Sequence, residues 1–175
     1  MEPYGFVKVR AIVPGGASRQ ESVARGLDAV EDDASYVVVH DAARPLVSEG
    51  LIRRVVEAAA MTGAALAAVP VTDTLKRRVA AGGMLTTVDR EGLWAAQTPQ
   101  AFRTSLLREA LARAATEGFV GTDDASVVER LGAAVALVEG EAFNLKITRA
   151  EDLVLAEELF ARLSDPSARM APQGR

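Results

Sequence analysis

The sequence contains no cysteine, a single histidine and a single tryptophan, and only 5% of its residues are aromatic. Without cysteine the chain can form neither a disulfide nor a thiolate metal site, so its stability has to come from a packed core. Its 175 residues are enough for one, because a chain of this length buries about 70% of its unfolded surface on folding. A lack of thiols is also typical of a reducing compartment, and we predict a cytoplasmic protein.

Long apolar runs and an excess of positive charge are also missing. No run approaches the roughly 20 apolar residues of a membrane-spanning helix, and the first residues lack the basic and apolar regions of a signal peptide. Lysine and arginine number 20 against 24 aspartates and glutamates, for a net charge of −4. This balance excludes a generally basic nucleic-acid-binding protein. An anionic substrate would therefore need a local cluster of cationic side chains.

Apolar β-branched runs alternate with segments of helical periodicity along most of the chain. This alternation predicts an α/β fold, with a mostly parallel sheet covered by helices. Residues 36–40 are apolar without alternation, which is typical of a central strand covered on both faces. We predict further strands at residues 6–13, 64–71, 134–138 and 145–147. The prediction is one domain over residues 1–163, followed by a disordered tail at 164–175.

Helix starts and inward faces follow from capping signals and from the spacing of apolar residues. Capping boxes are predicted at Ser18–Glu21 and Thr148–Glu151, and Asp123 is predicted to cap a short helix that reaches Leu131. Gly118 is placed to end a helix over residues 104–116. The predicted inward residues are Val23, Leu27 and Val30 in the first helix, Leu51, Ile52, Val55, Val56 and Ala59 in the second, Leu107, Ala110, Leu111 and Ala114 in the third, and Leu153, Ala156, Phe160 and Leu163 in the last.

Residues 72–79 and 85–88 interrupt the alternation with two polar, β-compatible stretches around a Gly-Gly pair. They predict a hairpin arm over residues 71–93 with little core of its own. Because an isolated hairpin is marginally stable, the arm should pack on the body or on a second subunit. Its cationic side chains are either a solvated face or a cover over an anion.

Candidate site residues follow the predicted strands, because ligands bind beyond the carboxyl ends of such strands. Asp41 could hold Mg²⁺ together with substrate phosphates, or it could merely pair with Arg44. Lys146 offers a compact positive charge for a phosphate, or it could extend to water. We interpret His40 as structural. The residues alone indicate an α/β enzyme that handles phosphates.

Eight motifs in order resemble one family over about residues 13–160. They are GGASRQESV at 15–23, HDAARP at 40–45, DTLKR at 73–77, VDR at 88–90, GLW at 92–94, TPQ at 98–100, TDDAS at 122–126 and NLKIT at 144–148. This ordered set resembles the 2-C-methyl-D-erythritol 4-phosphate cytidylyltransferases of the non-mevalonate isoprenoid pathway. Each motif alone is weak, but eight in order are specific.

The resemblance implies a Rossmann-like nucleotidyltransferase that joins CTP and a methylerythritol phosphate, with Mg²⁺ or another divalent cation as cofactor. It also implies a homodimer held by the β-arm, so that Thr74 and Arg90 would serve the partner's site. The implied residues are Gly16, Ala17, Ser22, Ala42 and Arg44 for the nucleotide, Asp41, Thr74, Arg90, Thr98 and Lys146 for the substrate, Asp41 for the metal, and Arg90, Lys146 and Asp41 for catalysis.

The chain departs from the family at its beginning. The family starts with a strand and a Gly-rich loop of the form AAGxGxRMGxxxPK, which is not found in this sequence. Two alternatives therefore stand beside the main interpretation. One is a cytidylyltransferase that acts on ribitol 5-phosphate, and the other is a fragment that binds nucleotide and substrate without turnover.

Overall fold

The structure is a computed structural model that describes residues 7–79 and 83–164. It has an α/β fold, as predicted, with a mixed sheet that includes parallel pairing and is accompanied by helices. The elements of the described chain are α1 Arg19–Asp28, β1 Tyr36–Val39, α2 Glu49–Thr62, β2 Ala64–Pro70, β3 Leu75–Val79, β4 Met84–Val88, β5 Trp94–Arg103, α3 Thr104–Glu117, α4 Asp124–Arg130, β6 Ala136–Glu139 and α5 Ala150–Ser164. No helix in the described ranges is long and apolar enough to cross a membrane.

The strands form two sheets. The larger has the order β1-β5-β2-β6, so consecutive strands of the chain are not neighbours in it. The smaller is the predicted hairpin, in which β3 and β4 pair antiparallel from Leu75 opposite Val88 to Val79 opposite Met84. The hairpin's turn at residues 80–82 and the predicted tail at 165–175 lie outside the described residues.

The described residues divide into two compact units. The first contains residues 7–39, 56–65 and 101–136, and the second contains 40–55, 66–79, 83–100 and 137–164. The first unit has an apolar core in which α3 supplies the predicted face, with Leu107, Ala110, Leu111 and Ala114 all buried. Gly118 ends α3 in the left-handed conformation, at φ 65°, as its position predicted.

The second unit buries several polar side chains beside its apolar ones. Leu51 and Val55 of α2 are fully buried as predicted, together with Ala67 and Ala68 of β2. A buried polar group has to form hydrogen bonds, because it loses those it makes with water. The amides and hydroxyl of this interior, at Gln97, Thr98, Gln100 and Asn144, therefore constrain the surrounding backbone.

Two predicted strands are wrong, and so is the position of a third. The described residues 7–13 carry no strand, and Val7 and Ile12 are largely exposed. Residues 145–147 also carry none. Consequently β1, which was predicted to be central, is at an edge of the described sheet. An apolar run favours an extended backbone, but only a neighbouring strand makes it part of a sheet.

The longest strand was not predicted. β5 contains small and polar residues and Pro99, which has no N–H to donate to a strand ladder. Its composition therefore gives no strand signal. Tertiary packing determines its conformation instead, because residues 97–102 are all buried.

The last helix begins and packs differently from its prediction. Of the predicted inward residues only Ala156 is buried, whereas Leu153, Phe160 and Leu163 are 49%, 62% and 39% exposed. Helical spacing places residues on one face but does not show that anything covers it.

The two predicted capping boxes also differ in detail. Ser18 caps α1 by accepting from the Glu21 N–H as predicted, but the Glu21 carboxylate accepts from Ala17 rather than from Ser18. The third capping prediction, at Asp123, is confirmed, because Asp123 and Ser126 form a reciprocal box at the start of α4.

Asp152, rather than the predicted Glu151, satisfies the free backbone groups at the start of α5. One of its carboxylate oxygens accepts from the Thr148 N–H, the Thr148 hydroxyl and the Arg149 N–H, at 2.8–2.9 Å. These hydrogen bonds favour the ionised carboxylate and lower the pKa of Asp152.

We predict that Asp152→Asn lowers the melting temperature at pH 7 by a few degrees, whereas Glu151→Gln leaves it unchanged. Because the pKa of Asp152 is depressed in the folded state, its contribution is complete above its ordinary pKa of 3.8 and is lost as the pH falls through the folded value. The difference between Asp152→Asn and the parent should therefore vanish in acid. Thermal unfolding followed by circular dichroism, from pH 7 down through the lowered folded pKa of Asp152, measures it, and a larger effect of Glu151→Gln would contradict this assignment.

Candidate active site

Three charged side chains predicted from the sequence meet in the second unit. The Lys146 ammonium lies 2.9 Å from an Asp41 carboxylate oxygen, and the Arg44 Nε lies 3.7 Å from the same oxygen. The carboxylate is 18% exposed and the lysine 42% exposed. One acidic and two basic groups therefore share a partly open site, where they can exchange their mutual contacts for those of a charged ligand.

Asp41 is held by its backbone as well as by its carboxylate. Its N–H donates to the Thr98 hydroxyl oxygen at 3.0 Å, and the same oxygen lies 3.0 Å from Nδ1 of His40. Nε2 of His40 lies 3.1 Å from the Arg44 carbonyl oxygen, which can only accept. A proton on Nε2 donates to the Arg44 carbonyl oxygen, and the Thr98 hydroxyl then donates to Nδ1. His40 thus links Thr98 to the loop of Asp41 and Arg44, which fits its structural interpretation.

Arg44 is positioned by the segment that carries Lys146. Its guanidinium donates to the Asn144 carbonyl oxygen at 2.7 Å, and the Ile147 N–H donates to the Ala43 carbonyl oxygen at 2.8 Å. Burial lowers the pKa of Arg44, while the Asp41 carboxylate acts in the opposite direction. Arginine nevertheless stays charged at neutral pH. The two loops therefore present a guanidinium held by a backbone carbonyl beside a more exposed ammonium.

A buried amide network holds the segment of Lys146. Asn144 is fully buried, and its amide nitrogen donates to the Gln97 side chain at 3.1 Å and to the Thr98 carbonyl oxygen at 2.9 Å. Gln97 in turn donates to the Glu141 carbonyl oxygen at 3.0 Å. Residues 141 and 144, which precede Lys146, are thereby hydrogen-bonded to β5. Asn144 belongs to a motif, but the role of Gln97 was missed, and its only signal is a polar residue directly before Thr98-Pro99.

The predicted nucleotide turn lies in the first unit. The Gly16 N–H donates to the Ser22 hydroxyl oxygen at 3.0 Å, and that hydroxyl donates to the Ser18 carbonyl oxygen at 2.9 Å. The Ala17 N–H donates to the Glu21 carboxylate at 2.7 Å. Side chains of α1 therefore organise the amides of this turn.

The predicted arm residues stand apart from these contacts. Thr74 and Arg90 are exposed, and within the described ranges neither side chain has a hydrogen bond or an ion pair. The arm's base is closed by the Val71 N–H, which donates to the Leu93 carbonyl oxygen at 3.1 Å. Ala42, between Asp41 and Ala43, is exposed as well. Hydrogen bonds and ion pairs thus connect Asp41, Arg44, Thr98 and Lys146, but not Thr74 or Arg90.

The described residues contain no group of three or more metal-ligating side chains. Mg²⁺ does not require one, because it is commonly bound by one or two carboxylates together with waters and substrate phosphates. The accessible carboxylate of Asp41 fits this donor set.

We predict that Gly140→Ala destabilises the protein and disturbs the candidate site, because it displaces the hydrogen-bonded side chain of Gln97. The Gly140 N–H donates to Ala68 at 2.7 Å, and a Cβ at this position would overlap the Gln97 side-chain oxygen. Such overpacking costs about 1–3 kcal/mol and should displace Asn144, lowering both the melting temperature and the affinity for anionic substrate. Gly26→Ala is the matched control, because it has open space in α1 and should be neutral or stabilising. A Gly140→Ala protein as stable as its parent would contradict the role of Gln97.

Known proteins share both the sequence and this fold. The 2-C-methyl-D-erythritol 4-phosphate cytidylyltransferase family pattern matches residues 6–162. An enzyme of that name from Syntrophus aciditrophicus is 48% identical over 161 residues, covering 92% of this chain and 69% of the relative. One from Halalkalibacterium halodurans is 51% identical, covering 90% and 68%. The crystal structure of the Thermus thermophilus enzyme of that name superposes with a TM-score of 0.79 at 51% identity, covering 85% of this chain and 72% of that one. The chain belongs to the 2-C-methyl-D-erythritol 4-phosphate cytidylyltransferase family of nucleotidyltransferases.

Proposed function

We propose that this protein joins CTP and 2-C-methyl-D-erythritol 4-phosphate to give CDP-methylerythritol and pyrophosphate, a step of isoprenoid precursor biosynthesis. The observation that carries the proposal is the cluster in which Lys146 and Arg44 flank Asp41. Family membership supports it, since the relatives carry the name of this activity. The chemistry of the cluster fits the joining of two phosphorylated molecules.

The reaction brings two anions together. A phosphate oxygen of the methylerythritol phosphate attacks the α-phosphorus of CTP, a new phosphorus–oxygen bond forms, and the bond to pyrophosphate breaks. No side-chain nucleophile is needed. The protein has to hold the attacking phosphate in line and offset the repulsion between the two substrates, which positioned cations do best.

Lys146 is suited to hold the attacking phosphate. Its pair with Asp41 is partly exposed, and such pairs contribute at most about 1 kcal/mol. The ammonium can therefore leave Asp41 for a substrate phosphate at little cost. Arg44, anchored on the Asn144 carbonyl, stays beside the nucleotide as a second positive charge.

Asp41 is the residue that would hold Mg²⁺. When bound, the metal would withdraw negative charge from the α-phosphate and the leaving pyrophosphate. Thr98 keeps the Asp41 backbone in place through the 3.0 Å hydrogen bond. The carboxylate would then exchange Lys146 for the cation.

The turn of residues 15–18 is suited to recognise cytosine. The Ser22 hydroxyl donates its only proton to Ser18 and accepts from Gly16, so only a lone pair is left for a ligand. A lone pair can accept from the exocyclic amino group of cytosine, but it cannot bond the corresponding carbonyl of uracil. Ser22 would thus favour CTP over UTP.

The arm is suited to dimerisation. Met84 and Leu85 of β4 and Val79 of β3 are 68%, 60% and 41% exposed, which leaves apolar surface on a hairpin with little core. The unpaired side chains of Thr74 and Arg90 are available to a ligand. In the proposed homodimer the arm packs on the second subunit and supplies both residues to its site.

Methylerythritol phosphate is favoured over ribitol phosphate as the acceptor. The residues that resemble the methylerythritol enzymes are Ala43 before Arg44, the TLKR stretch at 74–77 and NLK at 144–146. The family pattern and the relatives carry the same name.

The first test is pyrophosphate release from CTP and Mg²⁺ with each acceptor. We expect release with methylerythritol 4-phosphate and not with ribitol 5-phosphate. Lys146→Ala should lower turnover at least about 100-fold without unfolding the protein, because it leaves the attacking phosphate without its cation. Lys8→Ala, at another exposed lysine, is the control and should be as active as the parent. Binding of both substrates without any release would contradict the proposal and favour a non-catalytic fragment.

The second test asks whether two chains share one site. Arg90→Ala and Lys146→Ala proteins should each be nearly inactive. Mixed in equal amounts, unfolded and refolded together, they should recover about a quarter of parental activity, because about half of the dimers are then mixed and one of the two sites in each mixed dimer keeps both residues. If the mixture recovers nothing although mixed dimers form, Arg90 and Lys146 serve the same chain's site and the arm exchange is wrong.

A further inference from the structure

Two side chains at the start of α1 connect this helix to residues 119–124, which lead from the end of α3 to the first residue of α4. The Arg19 guanidinium lies 2.7 Å from an Asp124 carboxylate oxygen. The Gln20 amide nitrogen donates to the Phe119 carbonyl oxygen at 3.1 Å, and its oxygen accepts from the Gly121 N–H at 2.9 Å. We call these five residues the α1 anchor.

Asp124 is the buried end of the anchor. Its side chain is 1% exposed, whereas that of Arg19 is 39% exposed. The second carboxylate oxygen of Asp124 is buried and has no hydrogen-bond partner among the described residues. A buried carboxylate without a cation is strongly unfavourable, so Asp124 keeps Arg19 in this position.

The segment that receives the anchor is itself well fixed. Gly118 closes α3 in the left-handed conformation, and Asp123 opens α4 with a reciprocal capping box. The Arg130 guanidinium lies over the Phe119 ring at 5.3 Å from its centroid. The anchor therefore ties α1 to a rigid support rather than to a loose loop.

The other end of the connection is the turn that precedes α1. Four α1 or N-cap side chains organise this turn: Ser18 caps the helix, Ser22 accepts from Gly16, Glu21 accepts from Ala17, and Arg25 donates to the Gly15 carbonyl oxygen at 2.6 Å. A shift or rotation at the start of α1 would therefore move the amides of the turn and the Ser22 hydroxyl together.

We propose that Asp124 and Gln20 are positioning residues for base recognition. Without touching the nucleotide, they hold the start of α1 so that Gly16, Ala17 and Ser22 keep the arrangement that selects an amino-bearing pyrimidine. This inference rests on the proposed function, because it assigns the turn to the cytosine base. It assigns a positioning role to two residues, Asp124 and Gln20, that take no part in the chemical step.

Gln20→Ala is the main test, because it removes both hydrogen bonds and leaves the buried ion pair intact. We expect the KM for CTP to rise about tenfold, the preference for CTP over UTP to fall by a similar factor, and the KM for methylerythritol 4-phosphate to stay unchanged. Asp124→Asn, which keeps an oxygen for Arg19 without burying a charge, should change the same quantities in the same direction. Arg53→Met is the control, since it removes an exposed ion pair of α2 with Glu49 outside the anchor.

Amide hydrogen exchange provides a readout that does not depend on nucleotide. In Gln20→Ala the Gly16 and Ala17 amides should exchange about tenfold faster than in the parent, while the amides of Leu107 and Leu111 should not change. Unchanged exchange at the turn would refute the anchor, and so would equal losses for CTP, UTP and methylerythritol phosphate. If the parent protein itself binds no CTP, the proposed function and the assignment of the turn to cytosine both fail. The exchange rates of the Gly16 and Ala17 amides still decide whether the anchor orders the turn.

Discussion

The buried amide of Asn144 is the interaction on which the cationic part of the site depends. Through Gln97 and the Thr98 carbonyl it fixes residues 141–144 to β5, and the backbone carbonyl oxygen of Asn144 accepts a hydrogen bond from the Arg44 guanidinium. A fully buried amide cannot exchange these partners for water, so breaking any of them costs more than the bond itself contributes. The buried hydrogen bonds of Asn144 thus determine where Arg44 and Lys146 lie.

The polar interior and the exposed charges have different tasks. Gln97, Thr98 and Asn144 are buried, and their hydrogen bonds determine backbone positions. Lys146 and Asp41 are more exposed, and their ion pair is weak enough to be exchanged. A reaction between two anions needs both properties. In the proposed reaction the scaffold keeps the cations in place, while the ion pair between Lys146 and Asp41 is exchanged for contacts with substrate.

The first unit likewise combines a buried polar side chain with a more exposed charged one. Asp124 is buried and paired with the partly exposed Arg19, and the amides of the turn at 15–18 are organised by α1. Under the proposed function, base recognition therefore depends on the start of a helix rather than on an isolated loop. A short turn has little internal cooperativity, so it needs the helix to keep a fixed geometry.

Local sequence patterns were sufficient to predict the α/β class, the α3 face and the hairpin, and to mark Asp41, Arg44 and Lys146 as candidates, because periodicity, turn residues and motifs are properties of short segments. The folded structure was needed to establish that Lys146 pairs with Asp41, that residues 7–13 form no strand, that β1 lies at an edge of the described sheet and that the α5 face stays largely exposed. Each of these depends on a partner distant in the chain. The role of Gln97 and the anchoring of α1 by Asp124 likewise arise from contacts 47 and 105 residues apart, which no local pattern encodes.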